Sequence, residues 1–405
     1  MINEKLFLDG FDIQNRVVFQ PMEGCDCNLD GSPSKLTTDK YLSFAQSGAG
    51  IVWMEATAVT PEGRTNRRQM MLTEKNLDTY KKLLDDMRQV AIKKHGFAPL
   101  MILQLTHSGR QSVKPIIAYR HPIYEATRPV TDENIATDEY LDTIAEYYAR
   151  TTKLAREAGF DGVDAKCCHG YLTAELMSAY TRENSRYGGC FENRARLLLD
   201  ATEATYSEKG NMLLCSRTGL YDGLVKPYGF GSDEDGNPDW SEPLRLASEL
   251  EKRGVKLFNI VVGNPYYNSY LNRPYRRGVF GAPTPSEMPQ EKALGLFEEI
   301  TKKVKDQSKE MKVVLSGLSY YRGQCLDKAD ELLEKGVADF AGFGRITLAY
   351  PNFYSDWKAG KMEEKNTCVT CSKCTELMRS HCVSGCAVFN PEYRTLYKEV
   401  VMKKD

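Results

Sequence analysis

Short apolar runs alternate with longer amphipathic segments along most of the chain. A short apolar run is typical of a buried strand, whereas apolar positions that recur about every 3.6 residues are typical of a helix packed on one face. Strands are predicted over residues 16–21, 50–59, 99–106, 162–166, 212–217, 257–262, 312–315 and 340–343. Helices are predicted over residues 38–47, 76–94, 139–158, 193–206, 241–252, 287–305 and 322–335.

This alternation predicts an α/β fold, because parallel strands need a helical crossover between them. Eight such units favour a closed (β/α)8 TIM barrel over an open sheet. Long connections follow the third, fifth and sixth strands, at residues 108–137, 219–240 and 263–286, so all three are expected on the catalytic face of the barrel. The last one contains NPYYNSYLNRPYRRG, which is either the wall of an aromatic pocket or a solvated loop with tyrosines packed on the barrel rim.

Composition and charge narrow the class of protein. The 405 residues suffice for a barrel plus an appendage, and 41% of them are hydrophobic. A net charge of −1 argues against a general binder of nucleic acids or membrane surfaces. No apolar run reaches the ~18 residues of a membrane span, and the N-terminus has no secretory pattern. We therefore expect a cytoplasmic protein that acts on a small molecule.

Twelve cysteines are present, and five of them crowd into residues 368–386. This distribution favours metal ligation in a reducing compartment over a disulfide framework. Cys368, Cys371 and Cys374 follow the spacing C-x2-C-x2-C, and Cys386 or Cys382 is the remote fourth ligand, with Cys386 preferred. The spacing alone fits an iron–sulfur cluster and a structural zinc site about equally well.

Polar and glycine residues gather where the predicted strands end. His169, Gly170 and Tyr171 follow the fourth strand, and Arg217 ends the fifth. The loops after strands seven and eight carry Ser316–Gly317 and 342–345, the latter reading GFGR. Glycine lets backbone N–H groups approach a phosphate and arginine binds its oxygens with two nitrogens, so these loops predict a phosphate site.

The segments HGYL (169–172) and YGGCFENRAR (187–196) occur together, and their pattern resembles the old yellow enzyme superfamily of FMN-dependent oxidoreductases. The resemblance is strongest to the branch of 2,4-dienoyl-CoA reductase and trimethylamine dehydrogenase, and it covers about residues 6–391. It implies an FMN-binding barrel over residues 1–360 and a [4Fe-4S]-binding extension over residues 361–405. It also implies that Cys368, Cys371, Cys374 and Cys386 ligate the cluster.

Ten flavin-contacting positions are predicted, six from the same resemblance and four from the phosphate-binding loops. They are Pro21, Met22, Glu23, Ala56, Gln104, Arg217, Ser316, Gly317, Gly344 and Arg345. The amide of Gln104 suits the pyrimidine edge of the ring, and Arg217 would favour the anionic reduced flavin. Glu23 departs from the family, which has a small Thr or Cys there. Its carboxylate either disfavours charge on the ring, is protonated, or points away and leaves the place to Cys25 or a backbone group.

The resemblance implies an ene-reductase that acts on an α,β-unsaturated carbonyl compound. Lys166 and His169 fall at the positions that hold the carbonyl oxygen, and Tyr171 at the position of the proton donor. Each also has a structural interpretation: a salt-bridged lysine, a supporting histidine and a core tyrosine. The alternative reaction is oxidative C–N cleavage of the trimethylamine dehydrogenase type, and a zinc-bound scaffold without catalysis is the non-enzymatic alternative.

The source of electrons for the flavin is a separate question. The longest relatives continue beyond the cluster into a domain that binds FAD and NAD(P)H, whereas this sequence ends at Asp405. We therefore expect either NAD(P)H itself or a separate electron-transfer protein to supply electrons. The long aromatic loops suggest a bulky, planar substrate. The sequence does not identify that substrate, and it leaves open whether the protein is a monomer or a homo-oligomer.

Overall fold

Eight parallel strands close into a barrel in this computed structural model, which describes residues 1–126, 128–276 and 290–404. A preceding antiparallel hairpin consists of β1 (Leu6–Leu8) and β2 (Phe11–Ile13). The barrel strands are β3 (Val17–Phe19), β4 (Ile51–Ala58), β5 (Leu100–Thr106), β6 (Gly162–Ala165), β7 (Leu213–Tyr221), β8 (Leu257–Val262), β9 (Lys312–Leu315) and β10 (Phe340–Phe343). Each barrel strand pairs with the next, and β10 closes the ring on β3, with Gly342 opposite Val18.

Helices cover the outside of the barrel and form the C-terminal tail. In chain order they are α1 (Lys35–Ala45), α2 (Leu77–His95), α3 (Pro122–Glu125), α4 (Asp138–Ala158), α5 (Leu172–Met177), α6 (Phe191–Glu208), α7 (Ser241–Lys252), α8 (Ser269–Asn272), α9 (Gln290–Gln307), α10 (Cys325–Glu334), α11 (Arg345–Ala349), α12 (Phe353–Lys358), α13 (Lys373–Arg379) and α14 (Pro391–Val400). The ends follow local chemistry: α2 and α4 stop at Gly96 and Gly159, whose φ angles of 78° and 92° favour glycine.

The predicted (β/α)8 barrel is confirmed, and all eight predicted strands are present. The hairpin and the short helices were missed because segments of three to six residues carry little periodic signal. Strand β7 continues to Tyr221, past the predicted end at residue 217. The predicted start of the sixth helix, at residues 287–289, lies outside the described residues, and α9 begins at Gln290.

Apolar side chains fill the amino-terminal half of the barrel interior. The buried cluster there contains Trp53, Ile102, Leu213, Leu257 and Phe340, and Leu8 and Ile13 of the hairpin cap it. A larger apolar layer lies between the strands and the helices. These side chains fill the lower interior, which leaves the carboxyl ends of the strands as the place for a cavity inside the barrel.

The cysteine-rich tail folds over that open end. Its apolar residues form a small cluster of their own, made of Leu377, Val383, Ala387, Tyr393 and Tyr397. The backbone N–H of Ser384 donates to the carbonyl of Gly24 at 2.7 Å, which fixes the tail to the loop after β3. No helix within the described ranges has the length and apolar character needed to cross a bilayer.

Candidate active site

The cavity at the carboxyl ends of the strands encloses about 1030 Å³ of space, counted to its open mouth. All thirteen residues predicted as catalytic or flavin-contacting line it: Pro21, Met22, Glu23, Ala56, Gln104, Lys166, His169, Tyr171, Arg217, Ser316, Gly317, Gly344 and Arg345. The barrel topology explains this convergence, since the carboxyl ends of parallel strands meet on one face. The structure thus brings together every residue that the sequence predicted for this site.

A polar layer forms the floor of the cavity, directly above the apolar interior. Asp164 is fully buried and accepts hydrogen bonds from Trp53 Nε1 at 2.9 Å, Gln104 Nε2 at 2.7 Å and the backbone N–H of Arg217 at 2.7 Å. Gln20 Nε2 donates to Asn259 Oδ1 at 3.1 Å. Because buried polar groups adopt the positions that satisfy their hydrogen bonds, this layer orients Gln104 and Arg217.

The sequence did not predict the roles of Asp164, Gln20 and Asn259. An available signal was the aspartate inside the otherwise apolar strand GVDA (162–165), because a charge at a buried strand position needs dedicated partners. Burial raises the pKa of Asp164, and the hydrogen bond from Gln104 opposes that shift.

Two arginines define one end of the cavity. Arg345, at the start of α11, is buried, and its Nη1 has no hydrogen-bond partner among the described residues. The same holds for Nε and Nη2 of Arg273, whose Nη1 donates to Ser372 Oγ at 3.0 Å. Burial and the neighbouring Arg345 lower the pKa of Arg273 to about 10. Two close cations with free, buried nitrogens form a site for a multiply charged anion.

Glycines form the backbone at this end of the cavity, where a side chain would not fit. A Cβ on Gly342 would lie 1.9 Å from Gln20 Nε2, and one on Gly344 would lie 3.0 Å from Met22 Sδ. Ser316 and Gly317 complete the same wall. Arg273 was not predicted, because it lies in the Tyr-rich connection after β8, where the sequence gives no signal that it folds back toward the cavity.

Lys166, Tyr171 and Glu23 are in direct contact on the opposite side. The Tyr171 hydroxyl donates to Glu23 Oε2 at 2.8 Å. Lys166 Nζ lies 3.6 Å from the centre of the Tyr171 ring, a cation–π contact. Glu23 therefore points toward the predicted proton donor, while its Oε1 is buried and unpartnered among the described residues.

Burial changes the acid–base behaviour of this group. It raises the pKa of Tyr171 well above 10, helped by the adjacent Glu23, and it lowers the pKa of Lys166. Burial also raises the pKa of Glu23, although Lys166 and the Tyr171 hydroxyl oppose this. Strongly shifted pKa values in one cavity are typical of a catalytic site.

His169 follows β6 in a left-handed backbone conformation, with φ of 67°. Burial, together with the nearby Arg217 and Lys166, lowers its pKa well below 6.5, so its imidazole is neutral. Its Nε2 atom is shielded from solvent and has no partner among the described residues. A neutral imidazole with a free nitrogen at the cavity wall can hold a polar atom of a ligand.

The connection after β8 contributes a wall, as one interpretation of its tyrosines predicted. Tyr266 lines the cavity, and Pro265 and Asn272 accompany it. Residues 277–286 of the predicted connection lie outside the described residues. Met378 of the tail also lines the cavity, so the tail helps to build the site.

The four predicted ligand cysteines line a second, small cavity next to the first. Cys368, Cys371, Cys374 and Cys386 surround it, whereas Cys382 packs in the apolar cluster of the tail. The backbone N–H of Thr370 donates to Cys368 Sγ at 3.4 Å. Across residues 1–126, 128–276 and 290–404, no three His, Cys, Asp or Glu side chains converge as the ligands of a single metal ion would. Arg345 and Cys374 line both cavities.

A sequence model of the NADH:flavin oxidoreductase / NADH oxidase family matches residues 6–232, more than half of the 405 residues. The chain belongs to this flavin oxidoreductase family. The resemblance to the old yellow enzyme superfamily is therefore confirmed. Membership places the protein among oxidoreductases and leaves the reaction itself to be argued from the site.

Two curated relatives cover nearly all of this family member. It is 27% identical over 371 residues to the NADH oxidase of Thermoanaerobacter brockii, covering 89% of this chain and 51% of the relative. It is 25% identical over 399 residues to the cinnamate reductase of Clostridium sporogenes, covering 94% and 56%. The chain thus spans about half the length of these curated relatives.

Solved structures share the fold of this flavin oxidoreductase family member. A 2-naphthoyl-CoA reductase in complex with 2-naphthoyl-CoA matches with a TM-score of 0.78 at 20% identity, covering 98% of this chain and 58% of that one. Histamine dehydrogenase from Rhizobium sp. 4-9 matches with a TM-score of 0.73 at 18% identity, covering 97% and 52%. At these identities the likeness is one of fold.

Proposed function

We propose that the protein is an FMN-dependent ene-reductase that reduces the C=C bond of an α,β-unsaturated carbonyl compound. One observation carries the proposal: a single cavity holds two oxygen-binding candidates, Lys166 and His169, and a proton donor, Tyr171, together with unpaired arginines. These are the groups needed to stabilise charge on a carbonyl oxygen and to protonate a neighbouring carbon.

The cavity fits FMN on its own chemistry. Arg273 and Arg345 would bind the phosphate, because their buried nitrogens need an anion. Arg217, whose Nε is also buried and unpartnered among the described residues, would lie beside the ring, and Gln104 would bind its amide edge. When bound, FMN supplies hydride chemistry, and the protein supplies binding, orientation and electrostatics.

Lys166 and His169 would hold the substrate carbonyl oxygen. His169 is neutral because of its lowered pKa, so it binds the oxygen through one N–H rather than as a cation. Lys166 contributes a positive charge when protonated, and its lowered pKa also lets it release a proton more readily than an exposed lysine. Together they stabilise the negative charge that develops on that oxygen.

Tyr171 would donate the proton to the substrate, and Glu23 would then reprotonate Tyr171. Tyr171 stays protonated across the neutral range because its pKa is raised. Glu23 is in hydrogen-bond contact with it and has a raised pKa, so a protonated Glu23 can return a proton after Tyr171 has given one away. This gives Glu23 a relay role in place of the ring-tuning role considered from the sequence.

The tail would carry a [4Fe-4S] cluster on Cys368, Cys371, Cys374 and Cys386. Their thiols surround one small cavity, and an N–H to sulfur hydrogen bond accompanies it, as is common at such clusters. When bound, a cluster transfers single electrons. Cys374 and Arg345 contact both cavities, which supports electron exchange between the two sites. A zinc ion on the same thiols is the alternative that metal analysis decides.

Charge favours ene reduction over amine oxidation. An ammonium substrate would meet Lys166 and Arg217 in the cavity, with Glu23 the one carboxylate among the described lining residues. The aromatic cage expected for an ammonium group is reduced to Tyr171 and Tyr266. An amine dehydrogenase is therefore the second outcome that the assay must test.

Anaerobic purification followed by cofactor analysis tests the proposal. We expect FMN, iron and acid-labile sulfide, a flavin reduced by NAD(P)H or by a separate electron donor, and reoxidation by an enone. The same preparation is then mixed in the oxidised form with a tertiary amine. Reduction of the flavin by the amine, with no reoxidation by any enone, would refute ene reduction.

A further inference from the structure

A further cavity, distinct from the one lined by the cysteines, opens beside the catalytic cavity and is lined by arginines. Arg67, Arg68, Arg128 and Arg379 line it, and we call these four the arginine vestibule. The cavity encloses about 1320 Å³ of space, counted to its mouth. The four residues come from the β4–β5 connection, the β5–α4 connection and the end of α13, so only the fold brings them together.

The arginine vestibule contains no ion-paired carboxylate among the residues that the structure describes. Within the described ranges, no carboxylate forms an ion pair with any of its four guanidinium groups. Arg128 donates to Gln111 Oε1 at 3.1 Å and to the carbonyl of Ser112 at 2.8 Å, and Arg379 donates to the carbonyl of Pro265 at 2.6 Å. These neutral acceptors position the two cations without neutralising them.

Arg128 and Arg379 are half-buried, and burial lowers the pKa of both. A buried cation without a counter-ion is costly, and some arginines of this chain avoid that cost by pairing with a carboxylate. Arg110, for example, pairs with Glu175 at 2.5 Å, and Arg182 pairs with Asp138 at 2.7 Å. The vestibule arginines therefore carry a cost of burial that an incoming anion would relieve.

The vestibule is continuous with the catalytic cavity. Glu23, Tyr266 and Met378 line both. Glu23 is the one carboxylate among the described lining residues of the vestibule, and it is already engaged by the Tyr171 hydroxyl at 2.8 Å. A molecule whose double bond lies beside Tyr171 can thus extend past Glu23 and Tyr266 toward Arg128 and Arg379.

We infer that the substrate carries an anionic group, remote from its double bond, that the arginine vestibule binds. This inference rests on the proposed function for the position of the double bond. Guanidinium groups bind carboxylates and phosphates through paired N–H donors, so either oxyanion fits. Binding energy from such a remote group holds the reacting carbons in place beside Tyr171.

Three matched enones test the inference with the holoenzyme: an aryl enone with a para-carboxylate, its methyl ester, and the corresponding aryl phosphate monoester. We expect KM for at least one anionic enone to lie roughly tenfold or more below that of the ester, since a hydrogen bond to a charged group is worth about a factor of ten. The KM of the anionic enone should rise with sodium chloride. The anion with the lower KM identifies the source as carboxylate or phosphate.

Variants assign the effect to the vestibule. Arg379→Gln and, separately, Arg128→Gln should raise KM for the anionic enone roughly tenfold and leave KM for the ester unchanged. Arg150→Gln is the control, because Arg150 pairs with Glu74 on the exposed surface. Cofactor content and circular dichroism establish that each variant is folded, and two separate variants guard against the failure of one.

Calorimetry separates this inference from the proposed function. The saturated analogue of the acidic enone should bind to the holoenzyme more tightly than its methyl ester, and Arg379→Gln should abolish that difference. Equal affinity for acid and ester in the unaltered protein would overturn the vestibule assignment, even if enones are reduced. A charge-dependent affinity with no reduction of any enone would keep the vestibule and refute the ene-reductase.

Discussion

At the scale of single residues, the contact between Tyr171 and Glu23 decides how a proton would reach the substrate. The two residues are 148 positions apart and meet at 2.8 Å. Lys166 lies over the same tyrosine ring at 3.6 Å, so a cation, a phenol and a carboxyl group form one unit. Each of their pKa values is shifted by burial, and the shifts favour a neutral carboxyl beside a neutral phenol.

Replacing Tyr171 by Phe removes the proposed proton donor and keeps the ring. We expect the rate at which an enone reoxidises the reduced enzyme to fall about 10²-fold or more, because a positioned acid contributes that much. Stopped-flow absorbance of the flavin measures it. Tyr350→Phe is a matched control, since the Tyr350 hydroxyl bonds Asp356 outside the cavity. An unchanged rate in Tyr171→Phe would assign the proton to another group.

The raised pKa of Glu23 sets the direction of the pH dependence. A carboxyl group with a raised pKa stays protonated to higher pH, so kcat should be constant below that pKa and fall as pH rises through it. Tyr171 adds no decline below pH 10, because its pKa lies well above that value. Lys166 adds a second decline where it loses its proton.

Glu23→Gln separates these two declines. The amide keeps a hydrogen bond to the Tyr171 oxygen but cannot return a proton, so kcat should be lower and the decline that belongs to Glu23 should vanish. Only the Lys166 decline should remain. The measurement is kcat against pH at saturating enone, and superimposable profiles for the two proteins would contradict the relay.

At the scale of elements, a buried ion network holds the loop that carries Glu23. Strand β4 has a register shift between Met54 and Ala56, which leaves Glu55 unpaired in the ladder and directed toward α1. There Lys40 Nζ contacts Glu55 Oε1 at 2.5 Å and Asp26 Oδ2 at 2.9 Å. Glu55 Oε2 in turn accepts the backbone N–H of Gly24, next to Glu23.

Lys40→Met should destabilise the protein strongly, because it leaves two buried carboxylates without their cation. Removing one partner from a buried ion pair costs about 3–5 kcal/mol in the free energy of unfolding. Urea unfolding followed by tryptophan fluorescence measures the loss. Lys35→Met on the same helix is the control, since Lys35 and Asp39 are exposed and a solvent-exposed ion pair contributes little to stability. Equal losses in both variants would refute the network.

The tail poses a choice between two cysteines. Cys386 lines the cavity shared with Cys368, Cys371 and Cys374, whereas Cys382 packs against Leu377 and its neighbours. Cys386→Ser should therefore lose most of its iron and sulfide, while Cys382→Ser should keep about four of each per chain. Iron and sulfide analysis after anaerobic purification measures this. Loss of iron and sulfide in Cys382→Ser with retention in Cys386→Ser would reverse the ligand assignment. Stoichiometric zinc in the unaltered protein would show that these cysteines hold a zinc ion and not an iron–sulfur cluster.

At the scale of the whole molecule, charge is distributed unevenly in a nearly neutral chain. The net charge is −1, yet Arg217, Arg273 and Arg345 line the catalytic cavity, and the arginine vestibule adjoins it. Such a concentration of cations on one face raises the local concentration of anions. It also stores repulsion that a bound anion relieves, so ligands and stability are coupled.

FMN should stabilise the cofactor-free protein more than riboflavin does, because riboflavin lacks the phosphate that Arg273 and Arg345 would bind. At a free concentration 100-fold above its dissociation constant, a ligand adds about 2.7 kcal/mol to the free energy of unfolding. Thermal unfolding at matched ligand concentrations measures the difference. In Arg345→Met, FMN and riboflavin should stabilise the protein to similar extents. Equal stabilisation by FMN and riboflavin in the unaltered protein would refute the phosphate site.

The barrel and the location of its site could be predicted because both depend on local patterns. Alternating apolar and amphipathic runs determine strands and helices, and parallel strands present their carboxyl ends on one face. Residues such as Lys166, Arg217 and Arg345 end or follow strands, so their convergence followed from topology. Asp164 was missed, although its place inside an apolar strand was a readable signal.

By itself, the sequence determined the barrel, the face on which chemistry collects, and the set of side chains at the strand ends. Tertiary structure alone decided that Glu23 bonds Tyr171, that Arg273 folds back beside Arg345, and that arginines from three chain segments share one vestibule. The physical reason is that periodicity records which way a side chain faces within its own element. Partners, burial and pKa shifts arise between segments that lie far apart in the chain, and packing sets them.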